Sequence, residues 1–119
     1  MDPDAGVVRL LEAARRRLMR CGWARGRWRD PDGAVCLAQA LLDEVHDGAA
    51  SMADLLRAEH RLQAVLGAEA GGLEGALAAL VAFNDLAATT LADVVGALMR
   101  AAEGVRRVTA VSADLEAVA

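Results

Sequence analysis

Cys36 is the residue of this sequence whose side chain could react most directly. It follows the turn-forming segment Asp-Pro-Asp-Gly at residues 30–33 and opens a helical pattern, so we expect it in the first turn of a helix. The positive end of a helix lowers the pKa of a thiol there, which makes Cys36 a candidate nucleophile. The alternative is a small buried residue, because Val35 and Leu37 flank Cys36 and free cysteines are usually buried.

Asn84 and Asp85 form a second candidate, because these two polar residues interrupt an apolar run between Phe83 and Leu86. Asparagine and aspartate often stabilise turns through bonds to their own backbone, so one interpretation is a structural kink. The other interpretation is that one side chain points into a site as a hydrogen-bonding or acid–base group. Cys36, Asn84 and Asp85 are therefore the predicted catalytic residues, should the protein be an enzyme.

A third candidate is the basic segment at residues 15–29, which contains seven of the 13 arginines, both tryptophans and no acidic residue. All 17 acidic residues lie elsewhere, in a chain of net charge −4. Arginine neutralises carboxylates and phosphates, and a tryptophan ring stacks on flat groups. This pattern predicts a site for an anionic ligand formed by Trp23, Arg25, Arg27, Trp28 and Arg29. The alternative is that the arginines pair with acids of the same chain while the tryptophans cap the core.

Metal ligands in a useful pattern are scarce. Asp43 and His46 have the spacing of half a carboxylate–histidine metal motif, but Arg57 stands three residues before His60 where the second half would need an acid. We therefore expect neither a metal nor a cofactor.

Helices must position these residues, because alanine and leucine dominate the sequence while isoleucine and tyrosine are absent. Apolar residues recur at spacings of three and four, the pattern of an amphipathic helix. The fold class predicted is all-α, a compact bundle of about five short amphipathic helices. They are expected at about residues 5–20, 34–46, 51–66, 73–83 and 90–104.

The domain organisation predicted is one helical domain at residues 1–104 and a C-terminal tail at 105–119, either mobile or partly structured. No apolar run reaches the 18 residues of a membrane span, so we expect no membrane partner. Two cysteines do not form a disulfide framework, which favours a reduced cytoplasmic protein. An alanine-rich bundle with exposed leucines could also form a homodimer.

Several short motifs together resemble a family of small bacterial and phage proteins of unknown function, over about residues 7–102. The motifs are Gly22-Trp23, Asp30-Pro31-Asp32-Gly33-x-Val35-Cys36-Leu37, Ala40-Leu41, Phe83-Asn84-Asp85 with Thr89 or Thr90, and Asp93-Val94. That family usually has tryptophan at the position of Phe83 and glycine at the position of Gln39. The resemblance implies that Cys36 and the Asn84-Asp85 pair belong to one feature, and it implies no activity.

Three functions fit these observations. The first is a small domain that binds an anionic small molecule or peptide in a pocket near the arginine–tryptophan segment. The second is a small enzyme of a biosynthetic or modification pathway that uses Asp85 or Cys36. The third is a regulatory protein that presents the basic segment to a protein or nucleic acid, although the acidic remainder of the chain disfavours nucleic acid.

Overall fold

A bundle of five α-helices makes up the computed structural model, which describes residues 4–67 and 72–118. The helices are α1 (Ala5–Cys21), α2 (Leu37–His46), α3 (Met52–Leu66), α4 (Gly72–Asp85) and α5 (Leu91–Val118). The predicted all-α class and the number of helices are confirmed.

The central helix of the bundle is α1, which packs against α2, α3 and α5. The residues that α1 contributes to the hydrophobic core recur at spacings of three and four, which places them on one face of the helix. They are Val7, Leu10, Leu11, Ala14 and Leu18. Met19 directly follows Leu18 in α1, but its side chain is 62% exposed. The core is therefore built around α1, and Met19 faces away from it.

The start of α3 follows the sequence prediction closely. The Ser51 hydroxyl accepts a hydrogen bond from the Asp54 backbone N–H, and the Asp54 carboxylate accepts one from the Ser51 N–H, both at 3.1 Å. Arg57 also donates to the Asp54 carboxylate at 2.7 Å. This capping box satisfies backbone donors that the helix itself cannot pair.

The predicted start of the second helix at Ala34 is wrong, because α2 begins three residues later at Leu37. Residues 34–36 are instead extended and pair with the preceding residues 22–33, which we call the loop. The Ala24 N–H donates to the Val35 carbonyl, and the Cys36 N–H donates to the Trp28 carbonyl, each at 3.0 Å. These bonds to distant residues hold residues 34–36 out of the helix.

The predicted end of the fifth helix at Gly104 is also wrong, because α5 continues to Val118. Glycine inside a helix costs only about 0.5–1 kcal/mol relative to alanine. Val105, the next residue, is 1% exposed and packs in the core, and Thr109 donates to the Asp4 carboxylate at 3.1 Å. These contacts beyond Gly104 are enough to continue the helix.

Two glycine substitutions test this description of α1 and α5. A Cβ at Gly6 would overlap the Asp54 carboxylate, whose Cγ lies 2.7 Å from that position, whereas a Cβ at Gly104 meets nothing within 4 Å. We expect Gly6→Ala to lower the free energy of unfolding by about 1–3 kcal/mol through this overlap. Gly104→Ala should raise it by about 0.5–1 kcal/mol by favouring the helix.

Urea denaturation of both variants measures the two effects. A destabilising Gly104→Ala would mean that the helix ends at Gly104 after all, and a neutral Gly6→Ala would mean that Asp54 is not fixed against α1.

Candidate functional site

The Asn84 side chain joins three separate parts of the chain. Its Oδ1 accepts hydrogen bonds from the Trp23 indole N–H at 2.6 Å and from the Leu37 N–H at 3.0 Å. Its Nδ2 donates to the Ala24 carbonyl at 2.9 Å and to the Asp85 carboxylate at 3.0 Å. An amide side chain can make four such bonds, so Asn84, which is 1% exposed, has no capacity left for a ligand. Asn84 is the second-last residue of α4 and its role here is structural.

Asp85, the last residue of α4, is exposed and lies beside the loop. Its Oδ1 accepts hydrogen bonds from Asn84 and, at 2.8 Å, from the Gly26 N–H. These two bonds and the nearby charge of Arg25 hold the pKa of Asp85 below its ordinary value. Asp85 is therefore an ionised carboxylate at neutral pH and is poorly suited to donate a proton there.

Cys36 caps the N-terminus of α2 rather than lying in its first turn. Its Sγ accepts a hydrogen bond from the Gln39 N–H at 3.4 Å, and the residue is 5% exposed. Burial raises the pKa of the Cys36 thiol, and although the backbone bonds at the helix start act in the opposite direction, the raised value prevails. The geometry therefore fits the alternative interpretation of Cys36, a small buried residue, better than an activated nucleophile.

The arginines of the basic segment are mostly engaged within the chain. Arg25 lies over the Trp23 ring, 4.9 Å from its centroid, and donates to the Thr89 carbonyl. Arg29 forms a forked pair with Asp43, with distances of 2.7 and 2.9 Å. Both guanidinium groups therefore have roles in holding the loop.

Asp43 in α2 is the centre of a second charged cluster. Besides Arg29, it accepts a hydrogen bond from Gln39 at 2.7 Å and lies 3.6 Å from Arg17 of α1. Arg17 also pairs with Glu44 at 3.1 Å and with Asp47. Burial alone would raise the pKa of Asp43, but these donors lower it below its ordinary value. The cluster neutralises part of the basic segment.

A pocket of about 190 Å³ remains between the loop, the start of α2 and the end of α4. We call it the loop pocket, and its lining is Gly26, Arg27, Trp28, Cys36, Val81 and Asp85. Trp28 is 51% exposed, and Arg27 is exposed with no hydrogen bond or ion pair to the described residues. The structure thus brings four predicted site residues together here, namely Arg27, Trp28, Cys36 and Asp85.

The other predicted site residues lie outside the loop pocket. Trp23 and Asn84 are hydrogen-bonded to each other and do not line the pocket. Arg25 binds the Thr89 carbonyl, and Arg29 binds a carboxylate of α2. Two lining residues escaped the sequence analysis. Val81 stands four residues before Asp85, hence on the same helix face, and Gly26 has φ of 78°, a backbone conformation that glycine adopts readily.

Substitution of Asn84 tests its structural role. Asn84→Ala should lower the free energy of unfolding by about 2–4 kcal/mol, because it leaves the buried Leu37 N–H and the Trp23 indole without acceptors. Asp85→Ala, one residue further on but exposed, is the matched control and should cost less than half as much. Equal losses in guanidinium denaturation would contradict the central role of Asn84.

Thiol labelling tests the state of Cys36. In a Cys21→Ser variant, where Cys36 is the remaining thiol, the folded protein should react with a disulfide reagent at pH 7 at least tenfold more slowly than the unfolded protein. Burial and the raised pKa both reduce the accessible thiolate, so the rate should rise only at pH values above the ordinary thiol range.

A Cys36→Ser variant, which retains Cys21, serves as the control for reagent access. Rapid labelling of Cys36 at neutral pH in the folded protein would show that the thiol is accessible and activated rather than buried.

Membrane spans and metal sites were sought among the residues at 4–67 and 72–118. None of the helices there combines the length and the apolar character that crossing a membrane requires. No group of three or more histidine, cysteine, aspartate or glutamate side chains in those ranges could hold a metal ion.

Comparisons with known proteins identify a family and no activity. No curated protein and no solved structure matches the chain. The sequence profile of a family of unknown function, DUF6197, matches residues 2–104. This chain therefore belongs to the family of unknown function DUF6197.

Proposed function

We propose that this protein is a small binding domain that holds one end of a small polar ligand or peptide in the loop pocket. The observation that carries the proposal is the combination of side chains that line that pocket. The loop contributes an exposed tryptophan, Trp28, and an arginine without a described partner, Arg27, and the end of α4 contributes the ionised Asp85. None of these three side chains is needed to complete the core.

The charges of the loop pocket narrow the class of ligand. An anionic group, as expected from the sequence, is attracted by Arg27 but repelled by Asp85. Asp85 Oδ1 already accepts two hydrogen bonds, whereas Oδ2 accepts none from the described residues. A ligand that places an anionic group at Arg27 and an ammonium or amide N–H at Asp85 satisfies both sides. Amino acids and peptide ends carry this combination.

The size of the loop pocket limits how much of the ligand it encloses. Pockets for complete drug-sized ligands are typically about 300–1,000 Å³, larger than the 190 Å³ found here. The pocket therefore suits an end group, with the rest of the ligand lying across the exposed face of Trp28.

The other two functions have less support. An enzyme would need an acid, base or nucleophile. The lowered pKa of Asp85 makes it a poor acid and a weak base, Cys36 has a raised pKa and Asn84 is fully hydrogen-bonded. A regulatory protein that binds protein or nucleic acid through the basic segment would use its full positive charge, and four of the seven arginines are engaged within the chain, namely Arg16, Arg17, Arg25 and Arg29. We also propose a reducing, cytoplasmic environment, because both cysteines are free thiols.

Calorimetric titration tests the loop pocket. The probes are free amino acids, acidic dipeptides and small organic phosphates, each at low and moderate salt. We expect binding of a probe that carries both an anionic group and an N–H donor, and we expect Arg27→Ala and Trp28→Ala each to weaken it at least tenfold. Arg20→Ala is the matched control, since Arg20 is exposed and lies outside the pocket, and it should change affinity less than twofold.

The proposal fails if no probe binds, or if Arg20→Ala and Arg27→Ala weaken binding equally. Binding that disappears at moderate salt for all probes would also overturn it, because it would reflect unspecific charge attraction rather than a shaped pocket.

A further inference from the structure

An apolar stripe runs along the C-terminal part of α5 and faces solvent. Its residues are Val108, Val111 and Leu115, which are 46%, 59% and 67% exposed. Because they are spaced at i, i+3 and i+7, they lie on one face of the helix. We call this face the α5 stripe. The family profile ends at residue 104, so the α5 stripe lies outside the part of the chain that defines the family.

Gly104 extends the α5 stripe towards the bundle. It stands four residues before Val108 and therefore lies on the same face of the helix. A Cβ built at Gly104 would meet nothing within 4 Å. The space above this glycine can therefore receive a large apolar side chain close to the helix backbone.

Two opposite charges flank the α5 stripe along one edge. Arg107 directly precedes Val108, and Asp114 directly precedes Leu115, so both charges lie on the same edge, two turns apart. The Arg107 side chain is 76% exposed and pairs with Glu103 at 3.5 Å. Asp114 is exposed and forms no ion pair with a residue that the structure describes. This edge is therefore positive near the bundle and negative further along α5.

We propose that a second copy of this chain covers the α5 stripe, with the two α5 helices antiparallel. When Val108 of each copy lies opposite Val111 of the other, Leu115 of each copy falls opposite Gly104 of the other. The largest side chain of the stripe then fills the space above the glycine. Such a contact is isologous, because the same face of both copies forms it.

The same alignment pairs the charges. In an antiparallel pair of helices, the same edge of both copies meets, so Arg107 of each copy approaches Asp114 of the other. The two residues are offset by about 3 Å along the helix axis, at 1.5 Å per residue, which an arginine side chain can span. The two-fold symmetry makes this ion pair twice.

Other arrangements of two copies lose these ion pairs. A parallel pair brings unlike edges together, which places Arg107 beside Ser112 of the other copy instead of an acid. An antiparallel pair shifted by one heptad towards the helix ends brings the Asp114 residues of the two copies together, and like charges disfavour association. The charges thus select one orientation and one register.

Charge complementarity also favours a second copy over an unrelated partner. Residues 105–119 contain two arginines and two acidic residues, so this segment is neutral in a chain of net charge −4. An unrelated helix would have to repeat the same order of charges, which a second copy supplies by symmetry. The contact spans residues 104–115, about 17 Å on each copy. Because stable interfaces bury about 1,200–2,000 Å² in total, this shorter contact gives a weak dimer.

Sedimentation from micromolar to millimolar concentration tests the dimer. We expect reversible self-association, and we expect the far-ultraviolet helical signal to rise with it, because a second helix orders the exposed part of α5. Val111→Asp should weaken the association at least tenfold. Ala110→Asp is the matched control, because Ala110 is exposed one residue earlier and lies on a different face of the helix, and it should change the association less than twofold.

Charge reversal tests the orientation and the register. Arg107→Asp alone and Asp114→Arg alone should each weaken self-association at least tenfold, since each brings like charges together. An equimolar mixture of these two variants should associate again, and so should the variant that carries both reversals. Misfolding could not produce either gain. Arg61→Asp, an exposed site on α3 with the same change in charge as Arg107→Asp, should change self-association less than twofold.

A chain that stays monomeric up to millimolar concentration would overturn the proposal, including the case in which the α5 stripe binds a different protein instead. Equal effects of Val111→Asp and Ala110→Asp would also overturn it, because the association would then use another surface. A mixture of the two charge variants that fails to associate would exclude the antiparallel pair. The α5 stripe shares no residue with the loop pocket, so these outcomes are independent of the proposed ligand binding.

Discussion

The fold around the loop pocket depends on the four hydrogen bonds of the Asn84 amide. The segment from Gly22 to Cys36 has little regular structure of its own, and its backbone must find partners or remain solvated. Asn84 supplies an acceptor to the Trp23 indole and to the first N–H of α2, and a donor to the Ala24 carbonyl. A buried polar group that lost these partners would be costly, so the loop, α2 and α4 are fixed relative to one another by one side chain.

Electrostatics divide the basic segment into residues that hold the fold and residues that face solvent. Arg17 and Arg29 meet Asp43 on α2, and Arg25 stacks on Trp23. The surplus of positive charge that the sequence places at residues 15–29 is therefore reduced locally. A smaller surplus arises between α1 and α5, where residues distant in the sequence meet. Four arginines face two acids there, namely Arg15, Arg100, Arg106 and Arg107 against Glu12 and Glu103. A run of arginines in a sequence therefore does not by itself locate an anion-binding surface, because acidic residues distant in the sequence can pair with those arginines in the fold.

Helix periodicity was sufficient to predict the fold class and most helix positions, since amphipathic spacing is a local property. The Ser51 cap was equally predictable from neighbouring residues. The start of α2 was not, because residues 34–36 pair with Ala24 and Trp28 rather than with their sequence neighbours. Burial of Val105 likewise overrides the tendency of the glycine before it to end the helix.

For the candidate site, the residue types in the sequence pointed to four residues that line the loop pocket, namely Arg27, Trp28, Cys36 and Asp85. The directions of Arg25 and Arg29 could not be predicted, because they depend on contacts with the α4–α5 connection and with α2 that no local pattern encodes.

The length of α5 has a consequence for how the protein unfolds. Residues 94–105 share the core with α1, so their backbone hydrogen bonds open only when the whole bundle does. Residues 110–115 are all exposed, so the order of this part of the helix depends on the helix–coil equilibrium, with each turn sustained by the one before it. One continuous helix therefore contains two cooperative units. The first melts with the protein, and the second unwinds separately as a nearly isolated helix, so loss of far-ultraviolet helical signal should begin before loss of tertiary structure.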